Sequence, residues 1–238
     1  MPERDRKIAL FDIDGTAYDG FLVFPLAEIQ ARDGIIDPQV SARMNELRDK
    51  SEKRIMPYPQ MVKEVVEIWA EGLRGKSADE VLRHTESYLR GEGNNFFPYV
   101  GKVIGSIKDT HDVFFITGGT QFTAEATSRI YNATGYVSTQ FEVEDGLFTG
   151  RVTSMLSVGE HKLEALRELM KKHDREKSLA FGDAESDLDM LDAIEYAICI
   201  NPKPVLKAYA QEKGWPIFYS DRAPSVDEIP EYVSDKLR

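Results

Sequence analysis

Two aspartates one residue apart, Asp12 and Asp14, follow the apolar run Ile8-Ala9-Leu10-Phe11 and precede Gly15-Thr16. Carboxylates at the end of a buried strand repel one another and lose hydration, so the arrangement needs a reason. Asp and Gly both favour turns, which is one reason. The other is chemistry: ligands of open parallel sheets bind at the carboxyl ends of strands, and Asp12 falls at such an end. Three more polar clusters sit near the ends of other predicted strands. Thr117-Gly118-Gly119-Thr120 closes the run Phe114-Phe115-Ile116, and its glycines let the backbone approach a ligand. Thr120 there also reads as an ordinary helix N-cap. A Ser157-to-Glu160 capping box opens a helix that carries Lys162 in its first turn, where a cation is slightly disfavoured by the helix dipole. Gly182-Asp183 ends a further apolar run, with Asp187 four residues on.

The four clusters describe one chemistry. Asp12, Asp183 and Asp187 are hard oxygen ligands, and so small a set suits Mg²⁺ better than a full Ca²⁺ cage. Thr117 and Lys162 are placed to hold the oxygens of a phosphoryl group, with Gly118 and Gly119 lining its approach. Asp12 is the candidate nucleophile, because carboxylates form aspartyl-phosphate intermediates. Asp14 is close enough to protonate the leaving oxygen and then to deprotonate water.

Positioning these groups requires a parallel sheet. Short apolar runs at 7–11, 112–117, 178–183, 196–200 and 216–220 alternate with amphipathic helical stretches, among them Val100, Val103, Ile104 and Ile107. Strands alternating with helices predict an α/β fold, a doubly wound Rossmann-like parallel sheet. Between residues 21 and 96 the alternation stops. Asp37-Pro38 opens a helix with Val40, Met44 and Leu47 on one face. Val62, Val65, Val66, Trp69 and Leu73 stripe a second, and Ser77 to Glu80 caps a third. The expected organisation is a catalytic core from 1–20 and 97–238, interrupted by a helical cap over 21–96. Asp145-Gly146, between alternating apolar residues of 140–154, predicts a β-hairpin.

Composition narrows the partners. With 41 acidic against 30 basic side chains the net charge is −11, which argues against nucleic acid or an anionic membrane as partner. No window approaches a membrane span, and the first residues lack an apolar stretch long enough for a signal peptide. The single cysteine, Cys199, reads as a buried strand thiol and fits a reducing cytoplasm. His84, His111, His161 and His173 show no metal-ligand spacing.

The ordered set resembles the haloacid dehalogenase-like (HAD) superfamily of phosphotransferases. Its Asp-x-Asp-Gly-Thr motif stands here as Asp12-Ile13-Asp14-Gly15-Thr16. Thr117 and Lys162 look like its second and third motifs, and Gly182-Asp183-Ala184-Glu185-Ser186-Asp187 like its fourth. The resemblance implies Mg²⁺ held by Asp12, the Asp14 main-chain carbonyl and Asp183, with Asp187 nearby. Within the superfamily the chain is similar to the phosphoserine phosphatase-like branch, through its helical insertion, Ile116-Thr117-Gly118-Gly119 and the hairpin ahead of Lys162. Yet Phe21 stands near the Glu that holds the substrate ammonium in true phosphoserine phosphatases. Val65 stands near the cap Arg, and Ser186 replaces the usual Asn. Phosphoserine is therefore not the expected substrate.

The expected activity is Mg²⁺-dependent hydrolysis of a small phosphorylated metabolite. A phosphomutase or phosphotransferase, and a phospho-accepting regulatory module, are the alternatives. Tyr18, Phe21 and Tyr58 are the candidate substrate contacts, whereas Met61 and Trp69 read as packing. Oligomeric state is not legible in the sequence.

Overall fold

Successive residues of the predicted strands divide between two apolar layers. Ala9, Phe11, Val113, Phe115, Leu179, Phe181 and Ile198 face one layer, and Ile8, Leu10, Ile116, Ala180, Ala197 and Cys199 face the other. This alternation is what a strand covered on both sides must show. The computed structural model describes residues 6–156, 160–219 and 225–238, and the side chains of 160–163, 165, 225 and 226 are not among what it describes. Its seven strands are β1 (Lys7–Phe11), β2 (His111–Thr120), β3 (Gly135–Glu144), β4 (Leu147–Ser154), β5 (Asp174–Gly182), β6 (Tyr196–Ile200) and β7 (Ile217–Phe218). They form one sheet in the order β4-β3-β2-β1-β5-β6-β7. All neighbours pair parallel except β3 and β4, which form the hairpin.

Helices α5 (Pro98–Ile107), α6 (Gln121–Tyr131) and α10 (Ser225–Leu237) cover the first layer. On the second lie α7 (Glu160–Met170), α8 (Leu188–Asp192) and α9 (Pro204–Lys213). The expected doubly wound arrangement is thus observed. From β1 the chain moves outward to β2, β3 and β4, then returns to the opposite side of β1 for β5. The carboxyl ends of β1, β2 and β5 therefore meet where the winding reverses, the place where open sheets hold ligands.

Between β1 and α5 the chain forms four helices: α1 (Val23–Arg32), α2 (Pro38–Glu52), α3 (Tyr58–Gly72) and α4 (Ala78–Arg90). Asp37 accepts the Gln39 N–H at 2.8 Å and Ser77 accepts the Glu80 N–H at 3.3 Å, so both predicted N-caps form. These helices share the first apolar layer with the sheet. Trp69 is fully buried, with its ring edge-on to Phe122 of α6 at 5.1 Å, and its indole N–H donates to Gln30 Oε1 at 2.8 Å. Met61 is buried with it. Cys199 is buried in β6 and burial pushes its thiol up to about 12, as a structural thiol requires.

Three strands run longer than expected, and β7, Ile217–Phe218, is shorter than the run 216–220. β3 begins at Gly135, because its first half pairs parallel with β2 before its second half turns into the hairpin. Tyr136, Val137, Ser138 and Thr139 mix apolar with hydroxyl side chains and give no clean alternation. β5 begins at the charged residue Asp174, across a register shift opposite Lys7 to Ala9. β2 runs through Gly118-Gly119 to Thr120, with its own register shift between Ile116 and Thr120. Among the described residues no helix is long and apolar enough to cross a membrane.

Candidate active site

Asp12 follows β1 directly, and its N–H donates to the Phe181 carbonyl of β5 at 3.1 Å, fixing the strand end against its neighbour. Asp183 follows β5. Asp187 closes a short 3-10 turn, Glu185–Asp187, ahead of α8. Its Oδ2 accepts the N–H groups of Asp183 and Ala184, each at 3.1 Å. One carboxylate oxygen from each of Asp12, Asp183 and Asp187 lies within 4.8 Å of the others. All three residues are buried, none more than 7% exposed. At such separations each like-charged pair costs about 4 kcal/mol in a partly screened interior. An oxygen-only donor set of this size and charge fits a hard divalent cation, and Mg²⁺ in particular.

Asp14 is not one of the three. Its Oδ1 accepts the Leu22 N–H at 2.8 Å, and its Oδ2 faces the Gly119 backbone on β2. Burial pushes this carboxyl up to about 6. The Leu22 N–H opposes the rise, nearby Asp183 adds to it and Lys203 offsets part. The result is a carboxyl that holds a proton at mildly acidic pH, unlike an exposed one.

Gly15 lets the backbone pack directly against the Asp183 carboxylate. It takes φ +87°, and a Cβ built there would sit 2.4 Å from Asp183 Oδ2. The left-handed backbone costs an L-residue about 1–2 kcal/mol, and the clash displaces Asp183. Gly15→Ala is expected to lose both turnover and the thermal stabilisation given by Mg²⁺, read by differential scanning fluorimetry with and without the ion. Undiminished Mg²⁺ stabilisation would contradict this placement.

Thr117 is buried on β2, the strand next to β1, its Oγ1 accepting the Gly119 N–H at 3.0 Å. Gly118 is held from behind, where the Thr139 hydroxyl donates to its carbonyl at 2.8 Å. Thr120 occupies the N-cap position of α6, but its side chain caps no N–H and instead meets the Thr123 hydroxyl at 3.3 Å. Lys162 belongs to α7, and its side chain lies outside the described residues, as does the Ser157 end of the predicted capping box.

Tyr18 is packed rather than open. It is 5% exposed, its ring is edge-on to Phe96 at 5.3 Å, and its hydroxyl lies beside that of Tyr88. The reason is the tight turn after Asp14, in which the Gly15 N–H donates to the Tyr18 carbonyl at 2.8 Å. Phe21 and Tyr58, by contrast, are 48% and 59% exposed.

One residue of this cluster escapes the sequence reading. Lys203, just beyond β6, donates its N–H to the Asp183 carbonyl and its ammonium to Asp183 Oδ2, both at 2.8 Å. The ammonium also lies 5.2 Å from the centre of the Phe21 ring. Burial works against its charge, but Asp183, Tyr58 and Asp12 outweigh it and hold the lysine above its ordinary pKa. The signal was Asn201-Pro202-Lys203-Pro204 at the carboxyl end of a strand next to β5. Tyr58 completes the group. Burial of its hydroxyl raises its pKa, Lys203 lowers it, and Asp14, Asp183 and Asp12 raise it further.

Comparison with known proteins gives one family match: residues 9–192 fit the model of the haloacid dehalogenase-like hydrolases. A protein of Mycobacterium tuberculosis named as a probable phosphatase is 34% identical over 122 residues, covering 50% of this chain and 42% of that protein. The chain thus spans less than half the length of that relative. A solved protein of unknown function from Bordetella pertussis superimposes with a TM-score of 0.70 at 22% identity, covering 90% of this chain and 98% of the other. A phosphoserine phosphatase solved as a phospho-aspartyl intermediate analogue gives 0.65 at 18% identity, covering 96% and 99%. At these identities the two structures share the fold.

Proposed function

Because the chain belongs to the haloacid dehalogenase-like hydrolase family, we propose that it is a Mg²⁺-dependent phosphomonoesterase acting on a small phosphorylated metabolite. The observation that carries this reading is the meeting of Asp12, Asp183 and Asp187 within 4.8 Å at the point where the sheet winding reverses. The similarity to the Mycobacterium tuberculosis protein named as a probable phosphatase supports it. In this reading the helices within 21–96 act as a cap on a core formed by 1–20 and 97–238.

Asp12 attacks phosphorus in line with the ester oxygen, and the P–O bond to the alcohol breaks as the Asp12–phosphate bond forms. Asp14 gives its proton to the departing oxygen. A water molecule then attacks the same phosphorus, Asp14 takes the water's proton, and the Asp12 carboxylate leaves as inorganic phosphate forms. Asp12 and Asp183, with Asp187 behind them and the Asp14 main-chain carbonyl alongside, would hold Mg²⁺, which when bound neutralises charge on the transferred group. Thr117 and Lys162 orient the phosphoryl oxygens, while Gly118 and Gly119 leave room for them.

The test is steady release of inorganic phosphate from an aryl phosphate with no acceptor alcohol present. A release that requires an added alcohol would assign the chain to phosphotransfer instead. Asp14→Asn is expected to separate the two half-reactions. An aryl leaving group needs little protonation, so phosphoenzyme should still form, while its hydrolysis slows about 10²- to 10⁴-fold for want of the base. Wild-type turnover in Asp14→Asn would remove the acid/base role.

A further inference from the structure

The rim of the site carries apolar surface that the phosphoryl chemistry does not use. Among the described residues the exposed large apolar side chains are Phe21, Ile55, Tyr58, Val143, Leu147 and Val205. Val143 and Leu147 belong to the β3–β4 hairpin. Of the other four, Phe21 and Tyr58 lie beside Lys203, and Ile55 and Val205 are their neighbours in sequence. A concentration of exposed apolar groups beside convergent polar ones marks a ligand surface more often than scattered exposure does.

The two aromatic residues are held in place. Leu22, next to Phe21, is buried and its N–H is bound to Asp14. The Phe21 ring lies on the Lys203 ammonium, which in turn is bound to Asp183. Tyr58 starts α3 between Pro57 and Pro59, which pre-set the backbone there. Its hydroxyl feels Asp12, Asp14, Asp183 and Lys203 together. The Phe21 ring and the Lys203 ammonium thus stand one ion pair away from Asp183, and Tyr58 shares their electrostatic neighbourhood.

We infer that Phe21, Tyr58 and Lys203 form a subsite for an alcohol with a flat apolar body, so that the substrate is an aryl-bearing phosphomonoester. This rests on the phosphatase reading of the site. Offset or edge-on ring packing supplies the affinity, and the ammonium closes the remaining side of the subsite.

The test pairs 2-phenylethyl phosphate with ethyl phosphate, esters of similar alcohols that differ in the ring, and adds phosphoserine as a polar control. With Mg²⁺ present, kcat/KM is expected to be at least about tenfold higher for the phenyl ester than for the other two, corresponding to about 1.4 kcal/mol. The ratio of phenyl to ethyl ester should fall towards one in the Phe21→Ala/Tyr58→Ala double variant, checked for folding by circular dichroism. Binding of the two unreactive phosphonates, 2-phenylethylphosphonate and ethylphosphonate, is measured in parallel by calorimetry and should show the same preference. Equal kcat/KM or equal phosphonate binding, or a preference that survives in the double variant, overturns the inference. Hydrolysis of neither ester, with the phosphonate preference intact, would instead overturn the phosphatase reading and leave the subsite standing.

Discussion

Asp12→Asn is expected to lower kcat/KM by at least about ten-thousand-fold on any phosphomonoester, the scale seen when a covalent nucleophile is removed. The substitution keeps size and shape at a residue only 7% exposed, and its backbone bond to Phe181 is untouched. It also withdraws one negative charge from a crowded acidic cluster, so the metal-free chain should fold at least as stably as before. Circular dichroism and a melting curve check that point. The loss is therefore chemical: an amide does not displace an alkoxide from phosphorus. If Asp12 served only as a metal ligand, excess Mg²⁺ would restore part of the rate. No restoration is expected.

The second large effect is removal of the metal. A chelator should take phosphate release to background, and added Mg²⁺ should return it in full. The physical reason lies in Asp12, Asp183 and Asp187, three buried carboxylates within 4.8 Å. Lys203 is partnered with one of them, and a bound divalent cation would supply the charge needed to draw an anionic ester to so acidic a place. The same ion stabilises the fold by mass action, about 2.7 kcal/mol at a hundredfold excess over its dissociation constant. Asp183→Asn should abolish both the Mg²⁺-dependent rise in melting temperature and the turnover. Activity that persists in excess chelator, or a melting temperature indifferent to Mg²⁺, would count against the metal role.

Much of this candidate site is legible in the sequence because its parts are local. Asp12 and Asp183 each follow a short apolar run of the kind a covered strand shows, and Thr117 stands at the end of another. The sheet order then brings those ends together. Lys203 was hidden for the opposite reason. A lysine ahead of a helix reads as solvated, and only the adjacency of β6 to β5 puts its ammonium on Asp183. Tyr18 shows the limit of proximity along the chain: four residues from Asp14, it is turned inward onto Phe96 by the tight Gly15 turn. Phe21, three residues further, stays at the surface. The first half of β3 was obscured because Ser138 and Thr139 are buried hydroxyl residues that interrupt the apolar pattern.

The most direct test of the covalent role of Asp12 is to trap the phosphoenzyme. The chain is mixed with an aryl phosphate and Mg²⁺, quenched in acid within the first turnover, reduced with borohydride and digested for mass spectrometry. Borohydride converts an acyl phosphate to an alcohol, so homoserine should appear at position 12, and Asp12→Asn should give none. Homoserine at Asp14 or Asp183 in place of position 12, or turnover with no acyl phosphate trapped at any residue, would contradict the account.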